Sequence, residues 1–375
     1  MRVLDIEKLS ANIESRMKND LDANNLSGAS VLVKQGGKVV YKKHFGTTSP
    51  EGGEPISDST IFRLASMTKP ITAVAALILV QRGMLSLDDP IEKYIPKFKS
   101  TFLIDENGNK ISNSTPPTIK HILTHTSGIG SGQAWVNSAS KITSGDRNSV
   151  ESFVNFVANQ PLSFVPGTKC EYSGIGAFSV LTAIIEKLTG QSFECFLKKE
   201  IFEPCRMVNT TFSPSKEQWE RMITMHAKAD GKSIVGKTHQ GCVFGDYPPT
   251  NPLGGGGLIS TVNDYMNFAD MLLGGGNFEG TQVISNEMLK IMSTPQIPES
   301  IRPGNQRWGL GVRVITNTNT LPVGSFGWSG AYGTHFWVDP ENEIVGIYMK
   351  NSHFDGGAGA KTSAQFEKDV MSALI

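Results

Sequence analysis

Between Ile71 and Val80 the chain reads Ile-Thr-Ala-Val-Ala-Ala-Leu-Ile-Leu-Val, apolar at every position but one. A helix on a surface shows a single apolar stripe, so a run apolar on nearly every side predicts a helix buried all round. Gly83 stops it. Pro70 has no backbone N–H and is tolerated only in a first turn, which sets the start of this helix close to Ser66. A different periodicity opens the chain: Leu4, Ile6, Leu9, Ile13, Met17 and Leu21 recur at helical spacing among charges, predicting an amphipathic surface helix over residues 5–24.

Strand signals sit at the two ends. Ala29–Val33 and Lys38–Phe45 are β-branched or aromatic runs joined through Gln35-Gly36-Gly37, which reads as a hairpin. Comparable runs return only at Trp308–Ile315, Ser325–Val338 and Ile344–Lys350, followed by a closing helix over Ala360–Leu374. Two strands alone are marginal, so both chain ends are expected to build one antiparallel sheet. The expected fold is α+β: an antiparallel sheet flanked by terminal helices, from residues 1–58 and 295–375, with a mainly helical inserted domain over 59–294. The active site is expected at their interface. Within the middle, Thr118 caps a helix over Ile119–His125 with Gly128 as its stop, another helix runs Ile175–Thr189 to Gly190, and Thr261 caps a third that Gly274 ends near Leu273.

The 35 basic and 35 acidic residues balance, so nothing calls for nucleic acid, an anionic membrane or a polyanion, and a small molecule is the expected partner. The first eight residues carry acidic groups where a signal peptide has its apolar core, and no run reaches about 18 apolar residues; a cytoplasmic protein is expected. Oligomeric state is not legible. Cys170, Cys195, Cys205 and Cys242 form no Cys-x-x-Cys pair and read as reduced thiols.

Candidate chemistry centres on Ser66-Met67-Thr68-Lys69. Ser-x-x-Lys occurs four times, from Ser15, Ser66, Ser138 and Ser213, but only Ser66 opens a buried helix. Three residues apart at a helix start, Lys69 reaches the Ser66 hydroxyl, and both the helix dipole and burial push its pKa down toward that of a base. His121 and His125 are four apart but lack the glutamate of the zinc motif, so they read as structural and no metal or cofactor is expected. Tyr172 stands at a helix threshold. Gly254–Gly257 lacks a following Gly-Lys-Ser/Thr, so close backbone approach is the reading. Gly327-Trp328-Ser329-Gly330-Ala331 narrowly misses Gly-x-Ser-x-Gly, and strand-like sequence continues to Val338, which argues against Ser329 as a nucleophile.

Together, Ser66-x-x-Lys69, Tyr172-Ser173 and Trp328-Ser329-Gly330 resemble the three motif positions of serine β-lactamases and penicillin-binding proteins. The segments 121–129, 166–173 and 256–261 are also similar to recurring segments of the class C β-lactamase-like superfamily. The resemblance implies acyl transfer through an acyl-serine, with Ser66 as nucleophile, Lys69 and Tyr172 handling protons, and the N–H groups of Ser66 and Ala331 forming the oxyanion hole. Trp328, Ser329, Gly330 and Gly174 fall at substrate-binding positions. Two departures matter: Trp328 stands where the family carries the lysine of Lys-Thr-Gly, and Gly174 stands where the tyrosine motif ends in asparagine. A tryptophan there looks like the family VIII-type carboxylesterases, so hydrolysis of small carboxylic esters is expected. A β-lactamase, a D-peptidase or D-amino-acid amidase, and an acyltransferase remain alternatives.

Overall fold

The computed structural model describes residues 2–375 except 140, 143–148, 237–252, 318–319 and 358. Seven strands, numbered in chain order, form the main sheet: β1 (Gly28–Gln35), β2 (Lys38–Gly46), β3 (Gln306–Trp308), β4 (Arg313–Ile315), β5 (Phe326–Ser329), β6 (His335–Asp339) and β7 (Ile344–Met349). Their order is β3-β4-β5-β6-β7-β1-β2, antiparallel throughout. The two chain ends therefore meet at the β7–β1 pair, where Leu32 lies opposite Ile347.

Two runs that the sequence presents as single strands are each a pair. Trp308–Ile315 breaks between β3 and β4, where Gly311 takes a φ of 75°. Ser325–Val338 breaks at the Gly330–Thr334 turn between β5 and β6. Apolar alternation continues through a tight turn when both arms face the same core, so periodicity alone does not separate one long strand from a hairpin.

Alternation along the strands divides the sheet into two faces. Val31, Val33, Trp337 and Tyr348 point outward and pack under two terminal helices, α1 (Ile6–Asp22), capped by the Asp5 carboxylate, and a closing helix over Lys361–Met371. Leu32, Phe326, Trp328, Phe336 and Ile347 point inward, into a larger core shared with α2 (Thr68–Gln81), α3 (Gly176–Thr189) and α4 (Val262–Leu273). The closing helix is accordingly α5. As its sequence predicts, α2 is buried from Thr68 to Leu79. Burying each of its valine, leucine and isoleucine side chains contributes about 1.5–3 kcal/mol.

Although α4 comes from the middle of the chain, it packs on the sheet itself: the Tyr265 and Phe336 rings meet at 5.0 Å, and Lys34 pairs with Asp270. Elsewhere, α3 ends on Gly190 in the left-handed conformation, and Thr261 caps α4 through Asp264 N. The short helix after Thr118 covers only Ile119–Leu123 and stops before His125, whose φ of 57° is incompatible with another turn. Among the described residues no helix is long and apolar enough to cross a membrane.

Candidate active site

Ser66 sits in a single 3₁₀ turn, Ala65–Met67, that leads into α2. Ala65 adopts a φ of 47°, a strained state for a residue with a Cβ, held by contacts on both sides. Leu64 N donates to Leu258 O at 2.9 Å, Thr334 Oγ1 donates to Leu64 O at 2.8 Å, and the buried Tyr265 hydroxyl donates to Met67 O at 2.9 Å. Ser66 alone in this stretch reaches the surface.

One turn later Lys69 points back, its Nζ 3.1 Å from Ser66 Oγ. It also donates to Gly174 O at 2.5 Å and to Gly255 O at 2.6 Å. No carboxylate among the described residues pairs with it, and complete burial drives its pKa well below the ordinary amine range. The two carbonyls reach the same nitrogen because their segments touch backbone to backbone. A Cβ on Gly255 would lie 2.8 Å from both Ile175 Cα and Ile175 O. The Gly254–Gly257 run is thus a place of close approach beside the lysine. With two N–H groups held by carbonyls, a neutral amine keeps its lone pair for Ser66.

Tyr172 closes the other side. Its hydroxyl shares a hydrogen bond with Ser66 and accepts from Trp328 Nε1 at 3.2 Å, while Lys69 Nζ lies 4.9 Å from the centre of its ring. Burial of the hydroxyl end pushes this phenol up to about 12, although one edge of the residue leaves it 38% exposed. Burial thus favours the uncharged form of both groups around one hydroxyl, weakening the hold of the amine on its proton and strengthening that of the phenol.

The beta-lactamase family model matches residues 9–367. The chain belongs to the beta-lactamase family. Esterase EstB of Burkholderia gladioli is 27% identical over 391 residues, covering 96% of this chain and 95% of that one. Among solved structures, EstCE1, described as a hydrolase with promiscuous acyltransferase activity, superposes with a TM-score of 0.82 at 21% identity, covering 98% of this chain and 99% of that one. Simvastatin synthase LovD of Aspergillus terreus superposes at 0.81 with 18% identity, covering 97% of each chain. The last two likenesses concern the fold.

The other residues at the beta-lactamase motif positions divide between the cleft and the sheet behind it. Alternation on β5 turns Trp328 inward against Tyr172 and Trp308, with ring centres 5.3 and 4.4 Å apart, and turns Ser329 the opposite way. Ser329 Oγ lies 2.8 Å from His335 Nδ1 and is buried, so its side chain is committed to the outer face. Gly330 has no room for a side chain: a Cβ would lie 2.1 Å from Leu64 O, which brings the end of β5 against the Ser66 turn. Ala331 follows, exposed. Gly174 contributes its carbonyl to Lys69, and beyond its Cα there is open space.

The two histidines of the 121–129 segment do separate work. His121 completes a capping box with Thr118, whereas His125 Nδ1 accepts from Ser173 N at 3.1 Å. Among the described residues no cluster of three or more His, Cys, Asp or Glu side chains could hold a metal. Cys170, Cys195 and Cys205 are free thiols, and Cys242 lies outside the described residues. Sequence reasoning missed the Gly255 carbonyl, Trp308 and His125 as parts of the site. Only the glycine run signalled its place beforehand.

Proposed function

We propose that this protein is a serine carboxylesterase that hydrolyses small, uncharged esters through an acyl-serine at Ser66. The observation carrying this reading is the indole of Trp328, whose N–H donates to the Tyr172 hydroxyl at 3.2 Å. It occupies the position where the family resemblance implies a cation for a substrate carboxylate. A neutral donor there aligns the phenol and offers nothing to an anion, while Tyr172, Trp308 and Trp328 supply an aromatic wall for an apolar acyl or alcohol group. The similarity to EstB, an esterase by name, supports the same reaction.

In this mechanism the uncharged Lys69 amine accepts the Ser66 proton as Oγ bonds to the ester carbonyl carbon, and the carbonyl electron pair moves to oxygen. The N–H groups of Ser66 and Ala331 are assigned to that oxyanion; losing one such donor costs about 3 kcal/mol of barrier. Collapse breaks the bond to the alcohol, which leaves with the proton of Tyr172, and the Lys69 ammonium stabilises the resulting phenolate. Water then gives a proton to the phenolate and attacks the acyl group, and Lys69 returns its proton to Ser66 as the acid departs.

Purified protein assayed with p-nitrophenyl butyrate, nitrocefin and a D-alanyl amide tests this reading. Ester turnover lost in Ser66→Ala supports it; turnover absent from the wild type, or intact in Ser66→Ala, sinks it. Nitrocefin or amide cleavage faster than ester cleavage replaces it with the lactamase or amidase reading.

A further inference from the structure

We infer that His125 is a positioning residue for Tyr172, clamping the chain on both sides of that tyrosine. The inference rests on the role proposed for Tyr172 in moving protons. His125 O accepts from the N–H of Glu171, the residue before it, at 3.0 Å. His125 Nδ1 accepts from the N–H of Ser173, the residue after it, at 3.1 Å. The imidazole itself packs against the phenol ring, with centres 4.6 Å apart, and against Trp308 at 4.3 Å.

One residue thus holds the preceding peptide, the following peptide and the ring face of Tyr172. Both bonds require His125 to turn back on itself, which it does with a φ of 57°. A non-glycine residue in that conformation is strained and persists only where its surroundings hold it there.

The protonation state fits the clamp. Because Nδ1 accepts from a backbone N–H, the ring proton belongs on Nε2, which is buried without a partner. Burial, followed by Lys69 whenever that amine is protonated and by the Arg302 guanidinium, holds this imidazole well below its ordinary range, so it stays neutral and Nδ1 remains an acceptor. Phe178 is the other ring against it, at 5.4 Å.

Two substitutions isolate the acceptor. His125→Asn removes the ring but keeps an acceptor at the same branch point and tolerates a left-handed φ. His125→Gly also removes the ring and tolerates that φ, but has no acceptor. Each variant is melted, then assayed with p-nitrophenyl butyrate, whose leaving group needs no proton, and with ethyl butyrate, whose leaving alkoxide does.

The clamp predicts that kcat on ethyl butyrate falls about 10-fold to 100-fold in the Gly variant, with KM nearly unchanged and a much smaller loss on the nitrophenyl ester. The Asn variant stays within about 3-fold of wild type on both esters, a small fraction of a typical acid–base contribution. A ring needed only for packing lowers both variants and both esters together, which overturns the inference. So does a folded Asn variant that loses ethyl ester turnover selectively, whether or not the Gly variant folds.

Fluorine NMR of 3-fluorotyrosine at position 172 gives a readout that needs no substrate. A single sharp line in wild type and Asn, broadened or split in Gly, supports the clamp even if no ester is hydrolysed, in which case the esterase reading alone falls. Equally sharp single lines in all three overturn the clamp.

Discussion

Two serines in this molecule each stand at the head of a chain of titratable groups. Ser66 faces Lys69 and Tyr172 between α2 and the end of β5. Ser329 faces His335 at 2.8 Å, His335 faces Glu367 on α5 at 3.0 Å, and Glu367 pairs with Arg313. By hydrogen-bond order, Ser329 has the closer likeness to a nucleophile with its base and orienting acid. Accessibility decides otherwise. Ser329, His335 and Glu367 are 5%, 0% and 6% exposed, sealed between sheet and terminal helix, whereas Ser66 reaches the surface. The charge states differ as well. Burial works to raise the Glu367 carboxyl, but Arg313 and His335 outweigh it and hold the group down at about 2, so this chain ends in a locked ion pair. At Ser66 burial instead favours the uncharged form of an amine that no carboxylate among the described residues pairs with.

The widest separation between the two comes from alanine at each serine. Ser66→Ala lowers kcat on a nitrophenyl ester at least about 1,000-fold, while Ser329→Ala leaves it within a few-fold. Equal losses would erase the distinction. Next, Lys69→Met lowers kcat by about 100-fold to 10,000-fold. In the wild type the neutral amine is the active form, so kcat/KM falls as pH drops through the lowered Lys69 pKa. On the alkaline side Tyr172, at about 12, keeps its proton across the ordinary working range. A pH–rate profile with its acid limb at an ordinary carboxylate would point to a different base.

The Glu367 chain is expected to matter to folding instead. Glu367→Gln leaves Arg313 without its buried counter-charge and costs about 3 kcal/mol, read from urea midpoints, with kcat unchanged. Its folded pKa of about 2 lies below the ordinary glutamate value of 4.5, so its contribution is present above pH 4.5 and is lost as pH falls toward 2. The Gln variant is correspondingly flatter across that window. The smallest effect belongs to Gly174→Asn. Nothing lies within 4 Å of a Cβ there, so melting is unchanged, and the new amide raises cleavage of a D-alanyl amide relative to an ester by a few-fold.

The sequence distinguished Ser66 from Ser15, Ser138 and Ser213 because only one of the four opens an apolar helix, and that signal is local. Strand alternation told which segments make the sheet but not that Ser325–Val338 folds back on itself at Gly330. What remained hidden were meetings between distant backbones: Gly174 and Gly255 on Lys69, His125 on Glu171 and Ser173, α4 on the sheet. Carbonyls and left-handed turns leave no periodicity in a sequence, and their partners lie dozens of residues away. The run Gly254–Gly257 came closest, announcing a tight contact without naming what it touches.

The seam at Leu64 also ties the Ser66 turn to the sheet. Its carbonyl is fastened by Thr334 Oγ1, Gly330 presses against it without a side chain between, and Asn351 holds both the N–H and the carbonyl of neighbouring Arg63. The Ser66 turn and the end of β5 are therefore one piece of masonry, set in the sheet. A substitution that loosens this seam is therefore felt by Ser66 and Ala331 together.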